Sequence, residues 1–174
     1  MSLNIRSFRT SDLPACRKLY VEGLVGGKLA ENDTGMDIDD IESAYMSMPG
    51  NHFWVAEIEV GDKDGKPKRE VVGMIGVQHH DQGTGEIRRL RVGQEHRRKG
   101  IGSALVETAL KFCQEHQYLK ITLDTFMERE PAIKLFEKFR FRHSRSRTVA
   151  GKELMYFYLD LYTDEKRGRS ESPA

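Results

Sequence analysis

The sequence predicts a single domain of the α/β class, more narrowly α+β, with a mixed, mostly antiparallel twisted sheet of about six to seven strands flanked by about four helices. Three observations support this fold class. A length of 174 residues suits one domain. Stretches with apolar residues at helical spacing alternate with short runs rich in β-branched and aromatic residues. Short turns containing Gly and Asp join several of the strand-like runs, as antiparallel neighbours require.

The first half of the chain is expected to contain one strand, two helices and three further strands. The first helix follows an N-cap at Ser11 or Asp12, and the apolar spacing ends before Gly26. Turns at 61–65 and 81–85 separate the last three strands, which should therefore pair in sequence order. The predicted elements are strand 5–9, helices 13–24 and 38–48, and strands 52–60, 70–80 and 86–92.

The second half is expected to add two helices and three strands. Its strongest helix carries Ile101, Leu105, Ala109 and Phe112 on one stripe, and Pro131 opens the next helix. The predicted elements are helices 100–116 and 131–138 and strands 118–125, 141–149 and 152–161. One domain is thus expected over 1–162, followed by a charged, disordered tail over 163–174.

Composition argues against several classes of protein. The 28 Lys and Arg residues are balanced by 27 Asp and Glu, unlike in a dedicated nucleic-acid binder. The longest apolar run, 71–77, is too short to cross a bilayer, and no signal peptide is recognised. Cys16 and Cys113 lie in predicted helices, so we expect no disulfide scaffold and a reducing compartment. The expected location is cytoplasmic, with a nuclear one left open, and the scattered histidines predict no metal site.

The segment 92–103 joins a strand to the strongest helix. Gly100 and Gly102 at the helix start let a ligand approach the backbone closely, where the first N–H groups lack helical acceptors. Arg97, Arg98 and Lys99 add positive charge beside this opening. The combination predicts an anion site, most naturally for a pyrophosphate. A capped surface helix with solvated arginines is the alternative.

The motif Arg97-x-x-Gly100-x-Gly102 resembles the [Q/R]-x-x-G-x-[G/A] signature of the GNAT superfamily of acetyl-CoA-dependent N-acetyltransferases. Residues 90–92 fall where that family has its splayed strand, and 132–141 where it has an A-x-x-x-Y-x-x-x-G-F stretch. The resemblance covers about residues 4–160. The stretch Lys111-Phe-Cys-Gln-Glu-His-Gln-Tyr118 is also similar to the camello-like subgroup. The resemblance to the superfamily implies a GNAT-type fold and the transfer of an acetyl group from acetyl-CoA, as co-substrate, to an amine.

The resemblance also implies which residues hold acetyl-CoA. Backbone N–H groups of the glycine-containing loop would bind its pyrophosphate, and the splayed strand would pair with its pantetheine arm. These cofactor-binding residues are Leu90, Arg91, Val92, Arg97, Arg98, Lys99, Gly100, Ile101, Gly102, Ser103 and Phe136. The sequence carries an independent sign here. Ile87 and Leu90 are three positions apart, so a regular strand would place these two apolar side chains on opposite faces. Either a bulge near Arg89 or burial of both strand faces would explain this spacing.

Three residues depart from the family pattern. Phe136 replaces the usual Tyr that protonates the departing thiolate, Arg140 replaces the Gly before Phe141, and Arg129 replaces a frequent Asn. Phe136 cannot act as the general acid that the family usually has at this position. Cofactor binding depends less on the three changed side chains. A non-catalytic acyl-CoA-binding domain is therefore the first alternative function.

A general base is needed because an ammonium group cannot attack a thioester until it loses a proton. Glu86 lies at a strand start where histone-acetylating members of the family carry a Glu, and burial could raise its pKa. The alternatives are a surface glutamate paired with Arg88 or Arg89, and a base at His79 or His80. Neighbouring strand residues face opposite ways, so at most one of these histidines could reach the site.

Two charged segments bear on partners. The acidic run 31–42 could attract a cationic amine, although a solvated loop is the simpler interpretation. The basic stretch 86–99 suits an anionic cofactor, and without interleaved aromatics it does not suggest nucleic acid, which stays the second alternative. The expected acceptor is a small-molecule or peptide amine. No membrane partner is expected, and a homodimer is left open.

Overall fold

The computed structural model describes residues 2–27, 29–30 and 32–161. They form one seven-stranded sheet in the order β1-β2-β3-β4-β5-β7-β6. The strands are β1 (Leu3–Ser7), β2 (His52–Gly61), β3 (Pro67–Asp81), β4 (Thr84–Val92), β5 (Lys120–Phe126), β6 (Arg142–Val149) and β7 (Lys152–Asp160). The α-helices of the described residues are α1 (Leu13–Glu22), α2 (Met36–Asp39), α3 (Ile101–Glu115) and α4 (Glu130–Lys138). All neighbouring strands are antiparallel except β4 and β5, so the sheet is mixed, as predicted.

The predicted helix over 38–48 is wrong as one element. The structure has α2, then a break, then a π-helical turn over Glu42–Met46. Asp40 leaves the helical region with φ of −144° and ψ of 76°. Its carboxylate accepts the N–H of Ser43 at 3.1 Å, a local bond that competes with a continuous helix.

The other predicted elements are present, with shifted ends. Strand β1 runs two residues earlier than the predicted 5–9, because it pairs with β2 only up to Ser7. Helix α3 begins after Gly100, whose backbone is left-handed with φ of 79°. The hairpin of β2 and β3 extends to Pro67 and Gly61, beyond the predicted start of the second strand at 70. The remaining bounds agree within two residues.

Each face of the sheet carries a separate hydrophobic core. Alternate residues of β2 enter the two cores: Trp54 packs under α3 and α4, and Phe53 packs under α1. Cys16 and Cys113 are free thiols, one in each core. Burial raises the pKa of both to about 12, so neither is a reactive thiolate.

Helices α1 and α2 and helices α3 and α4 therefore cover opposite faces of the sheet. Within the described ranges, no helix is long and apolar enough to span a membrane. The single domain over 1–162 stays a prediction, and its charged tail, 163–174, lies outside the described residues.

Candidate active site

Strand β4 carries one extra residue where it faces β3. Met74 pairs with Arg91 and Gly76 with Arg88, so two steps along β3 face three steps along β4. Arg89 lies within this shift and has a left-handed backbone, with φ of 61°. An extra residue of this kind moves the following side chains to the other face of the sheet. The structure therefore confirms the bulge as the cause of the broken alternation.

The sheet opens between β4 and β5. The two strands pair only over residues 84–86, and no described strand pairs with the rest of β4 on that side. The carbonyl of Leu90 accepts a hydrogen bond from Nη1 of Arg91 at 2.9 Å. An extended ligand can add to such an open edge as another strand would. This is the splayed strand that the resemblance predicts, and the contact of Leu90, Arg91 and Val92 with a pantetheine arm stays a prediction.

The loop before α3 exposes backbone N–H groups. Arg98 and Gly100 both have left-handed backbones, with φ of 63° and 79°. The first N–H of the segment with a backbone acceptor is that of Ala104, which bonds to the carbonyl of Gly100 at 3.1 Å. Within the described chain, the amides of 97–103 have no backbone acceptor. Free amides at the positive end of a 15-residue helix form an anion site in principle.

The side chains around this loop are exposed cations before the helix and packed or half-buried groups within its first turn. Arg97, Arg98 and Lys99 are exposed, whereas Ile101 is buried and Ser103 is half-buried. A Cβ atom at Gly102 would stand 3.0 Å from Cδ2 of Leu135 in α4. A side chain at position 102 would therefore require Leu135 to shift by a few tenths of an ångström.

Phe136 lies in the core between α4 and the sheet. Its side chain is 3% exposed, and its ring meets that of Phe141 edge-on at 5.4 Å. Arg140 ends α4 with a left-handed backbone, φ 71°, and the N–H of Phe141 bonds back to the carbonyl of Phe136 at 3.0 Å. This is the helix end that normally takes glycine. Contact of Phe136 with a cofactor stays a prediction.

Glu86 is half-buried beside the opening. Its Oε2 lies 3.4 Å from Nδ1 of His80, and its Oε1 lies 4.0 Å from Nε of Arg88. Burial raises the pKa of Glu86, and the charge of Asp124 adds to the effect, while Arg88 opposes it. A carboxylate with a raised pKa is suited to accept a proton.

The two candidate histidines face different surroundings, as the alternation predicts. His80 lies beside Glu86, whereas the ring of His79 lies 6.1 Å from that of Tyr118. Glu86 and His80 are therefore neighbours rather than separate candidates. The pairing of Glu86 with Arg88 is also present, but Arg89 points elsewhere.

The interpretation of the acidic run as a solvated loop is wrong for two of its residues. Asp33 and Asp37 are partly buried and both bind Arg89. Nη2 of Arg89 donates to Asp33 at 2.8 Å, and its Nε donates to Asp37 at 2.9 Å. Burial opposes ionisation of Asp33, but the hydrogen bonds from Arg89 outweigh it and lower the pKa of Asp33 to about 2.

This network also changes the meaning of the basic stretch 86–99. The charge of Arg89 is already balanced inside the protein, so it is not available to an anionic cofactor. The exposed cations of the loop are Arg97, Arg98 and Lys99. Residues 33 and 89 are 56 positions apart, and sequence spacing carries no signal for their pairing.

Sequence reasoning missed three side chains at the opening. Tyr20 was not singled out within the predicted helix 13–24. Arg129 was noted only as a departure from the family pattern, and Arg91 only through its backbone. The structure brings all three to the C-terminal end of α1. An arginine in a family position usually held by Asn was the one available signal.

The chain matches the sequence model of the acetyltransferase (GNAT) family over residues 14–141, and it belongs to this family. Membership confirms the predicted family. It also confirms the resemblance from which the loop and the splayed strand were predicted.

Several relatives share part of this sequence. It is 37% identical over 111 residues to N-acetyltransferase 8 from Homo sapiens, covering 61% of this chain and 45% of that protein. It is 38% identical over 108 residues to N-acetylaspartate synthetase from Rattus norvegicus, covering 62% and 33%. A probable N-acetyltransferase camello from Xenopus tropicalis is 33% identical over 119 residues, covering 67% and 50%. The chain thus spans between a third and a half of these relatives' length.

Solved structures confirm the fold. A GNAT-family acetyltransferase from Staphylococcus aureus superposes with a TM-score of 0.74 at 19% identity, covering 92% of this chain and 99% of that one. NAA60 from Arabidopsis thaliana, solved in complex with acetyl-CoA, gives a TM-score of 0.70 at 16% identity, covering 92% and 99%. Identities this low speak for the fold alone.

Proposed function

We propose that this chain transfers the acetyl group of acetyl-CoA to a small-molecule or peptide amine by direct attack in a ternary complex. The observation that carries the proposal is the adjacency of two features, the free amides of 97–103 and the open edge of β4. The first suits a pyrophosphate and the second an extended arm. Together they fit the two ends of one long anionic co-substrate.

The residues present fit acetyl-CoA. In the proposal, the loop amides with Arg97, Arg98 and Lys99 hold the pyrophosphate, and the backbone of 90–92 holds the pantetheine arm. When bound, acetyl-CoA supplies the acetyl thioester.

Glu86 is proposed as the general base. An amine acceptor arrives protonated at neutral pH, and a half-buried carboxylate with a raised pKa can accept its proton. His80 lies 3.4 Å away and can pass that proton to solvent. Phe136 offers no proton to a leaving thiolate, but a thiol with a pKa of about 8.5 can leave unprotonated at a lower rate.

The test is Glu86→Gln, with Glu107→Gln on the exposed face of α3 as the matched control. We expect kcat to fall by roughly 10²–10⁴ with little change in acetyl-CoA affinity. The acidic limb of the pH–rate profile should disappear, because the wild type loses its base as the pH falls through the raised pKa of Glu86. A variant with normal rate and profile would move the role to His80, which His80→Gln then tests.

A non-catalytic acyl-CoA-binding domain is the second candidate, and the buried Phe136 without a hydroxyl favours it. Steady release of CoA with an amine present separates an enzyme from such a sensor. A basic nucleic-acid-binding module would instead show an affinity for DNA or RNA that falls steeply with salt. The cytoplasmic location, the absence of a nucleic-acid partner and a homodimer stay predictions.

A further inference from the structure

Two arginines approach the end of α1 from opposite sides of the opening. Arg91 comes from β4, and Arg129 precedes α4 directly after β5. Nη2 of Arg129 donates a hydrogen bond to the carbonyl of Gly23, the residue that ends α1. A Cβ atom on Gly23 would stand only 2.6 Å from Nε of Arg91. We call Arg91, Arg129 and the nearby Tyr20 the α1-end cluster.

Two polar atoms of the α1-end cluster are buried without a hydrogen-bond partner. They are Nε of Arg91 and the hydroxyl of Tyr20. Buried polar groups are nearly always paired, so each exception needs an explanation. Both atoms can donate a hydrogen bond, and Nε of arginine can do nothing else. What the cluster lacks is therefore an acceptor.

The charges indicate the sign of the missing group. The carboxylates nearest to the cluster, Asp33 and Asp37, bind Arg89, and no ion pair of the described residues reaches Arg91 or Arg129. Burial, with the charges of Arg129 and Arg89, lowers the pKa of Arg91 to about 9. Burial and Arg97 likewise lower the pKa of Arg129. Bringing an anion here would relieve a buried excess of positive charge.

We propose that the α1-end cluster binds a carboxylate of the acetyl acceptor, which makes the acceptor an amine that also carries a carboxylate, such as a free α-amino acid. This inference rests on the proposed acetyltransferase function and names its substrate class. The planar guanidinium groups of Arg91 and Arg129 match a carboxylate, and the Tyr20 hydroxyl adds a further donor.

The cluster lies on the side of β4 away from α3 and α4. Leu90 and Val92 pack against the core under those helices, whereas Arg91 faces α1. A ligand at the cluster therefore sits across the strand from the core that α3 and α4 cover. A polyamine or a lysine-rich peptide would add positive charge beside Arg91 and Arg129, which like-charge repulsion disfavours.

The experiment compares acceptors that differ only in the carboxylate. L-phenylalanine and L-leucine are each paired with their amides, spermidine is added as a cationic acceptor, and CoA release is followed with acetyl-CoA. We expect wild-type kcat/KM to be at least about tenfold higher for each acid than for its amide. Spermidine should be the poorest acceptor.

The variants are Arg91→Gln, Arg129→Gln and Tyr20→Phe, with Arg142→Gln on exposed β6 as the control. Both arginine variants should lower kcat/KM for the acids about tenfold or more. In Arg129→Gln, whose side chain lies outside the acetyl-CoA-binding residues, use of the amides and the KM for acetyl-CoA should stay within about threefold. Tyr20→Phe removes only the hydroxyl and should give a smaller loss with the fold intact. Arg142→Gln should behave as wild type.

Equal use of acids and amides by the wild type, or a raised KM for acetyl-CoA in Arg129→Gln, would overturn the carboxylate site and leave acetyl transfer standing. A wild-type protein that neither binds acetyl-CoA nor transfers its acetyl group would overturn the proposed function instead. In that case thermal shifts with L-phenylalanine and its amide still test the site. A melting temperature that rises with L-phenylalanine but not with its amide, and that no longer rises in Arg91→Gln, supports the site. Equal rises with the acid and the amide overturn it.

Discussion

Replacing Asp33 by Asn removes one of the two carboxylates that bind Arg89. Arg89 lowers the pKa of Asp33 from 3.8 to about 2. Each pKa unit is worth about 1.4 kcal/mol, and the Asp33 side chain keeps 23% of its surface exposed. With a small discount for solvent screening, the pair contributes about 2 kcal/mol to stability at neutral pH.

The sign of the pH dependence follows from the lowered pKa. The contribution is complete above the unfolded value of 3.8 and is lost as the pH falls towards about 2 in the folded protein. Urea unfolding of the wild type and of Asp33→Asn should therefore differ by about 2 kcal/mol at pH 7 and by about half as much at pH 3.

The control for this measurement is Asp39→Asn. Asp39 is 72% exposed and lies 4.0 Å from Arg17, so its replacement should change stability by less than about 0.5 kcal/mol at either pH. The reasoning fails if Asp33→Asn costs no more than this control at pH 7. It also fails if the cost is the same at both pH values, because the loss would then not come from the ionised pair.

Three further changes test the cofactor loop and α4. Gly102→Glu should abolish acetyl-CoA binding by calorimetry, and Gly102→Ala, which makes the same contact with Leu135, should retain measurable binding and change stability by less than about 1 kcal/mol, because the helix preference of alanine offsets the contact. Phe136→Tyr should lower stability by about 1–3 kcal/mol, because its hydroxyl enters a core where the ring is 3% exposed; an unchanged melting temperature with a raised kcat would instead show that the hydroxyl reaches the leaving thiolate. Arg140→Gly should raise stability by about 1 kcal/mol in urea unfolding, since glycine tolerates φ of 71° without strain; a destabilised variant would mean that the Arg140 side chain itself contributes.

Local signals in the sequence were sufficient to predict the loop, the helix start and the strand break that the proposed function assigns to acetyl-CoA. The stripe of Ile101, Leu105 and Ala109 predicts α3, and each of these residues is buried. Gly100 with its left-handed backbone lies at the N-cap, where the motif predicts a tight turn. The break in alternation before Leu90 allowed either a bulge or burial of both strand faces, and the structure has the bulge. Helix starts, turns and strand parity depend on neighbours within a few residues, so the order of residues alone determines them.

The binding of Arg89 by Asp33 and Asp37, and the α1-end cluster, were decided only by the tertiary structure. Nothing in the acidic run distinguishes Asp33 and Asp37 from their exposed neighbours, and Arg89 is more than 50 positions away from both. The burial of Phe136, and the meeting of Arg91 with the end of α1, likewise depend on how helices close over the sheet. Whether a charge is solvated, paired or left buried without a partner depends on the groups that folding brings around it, and these come from distant parts of the chain.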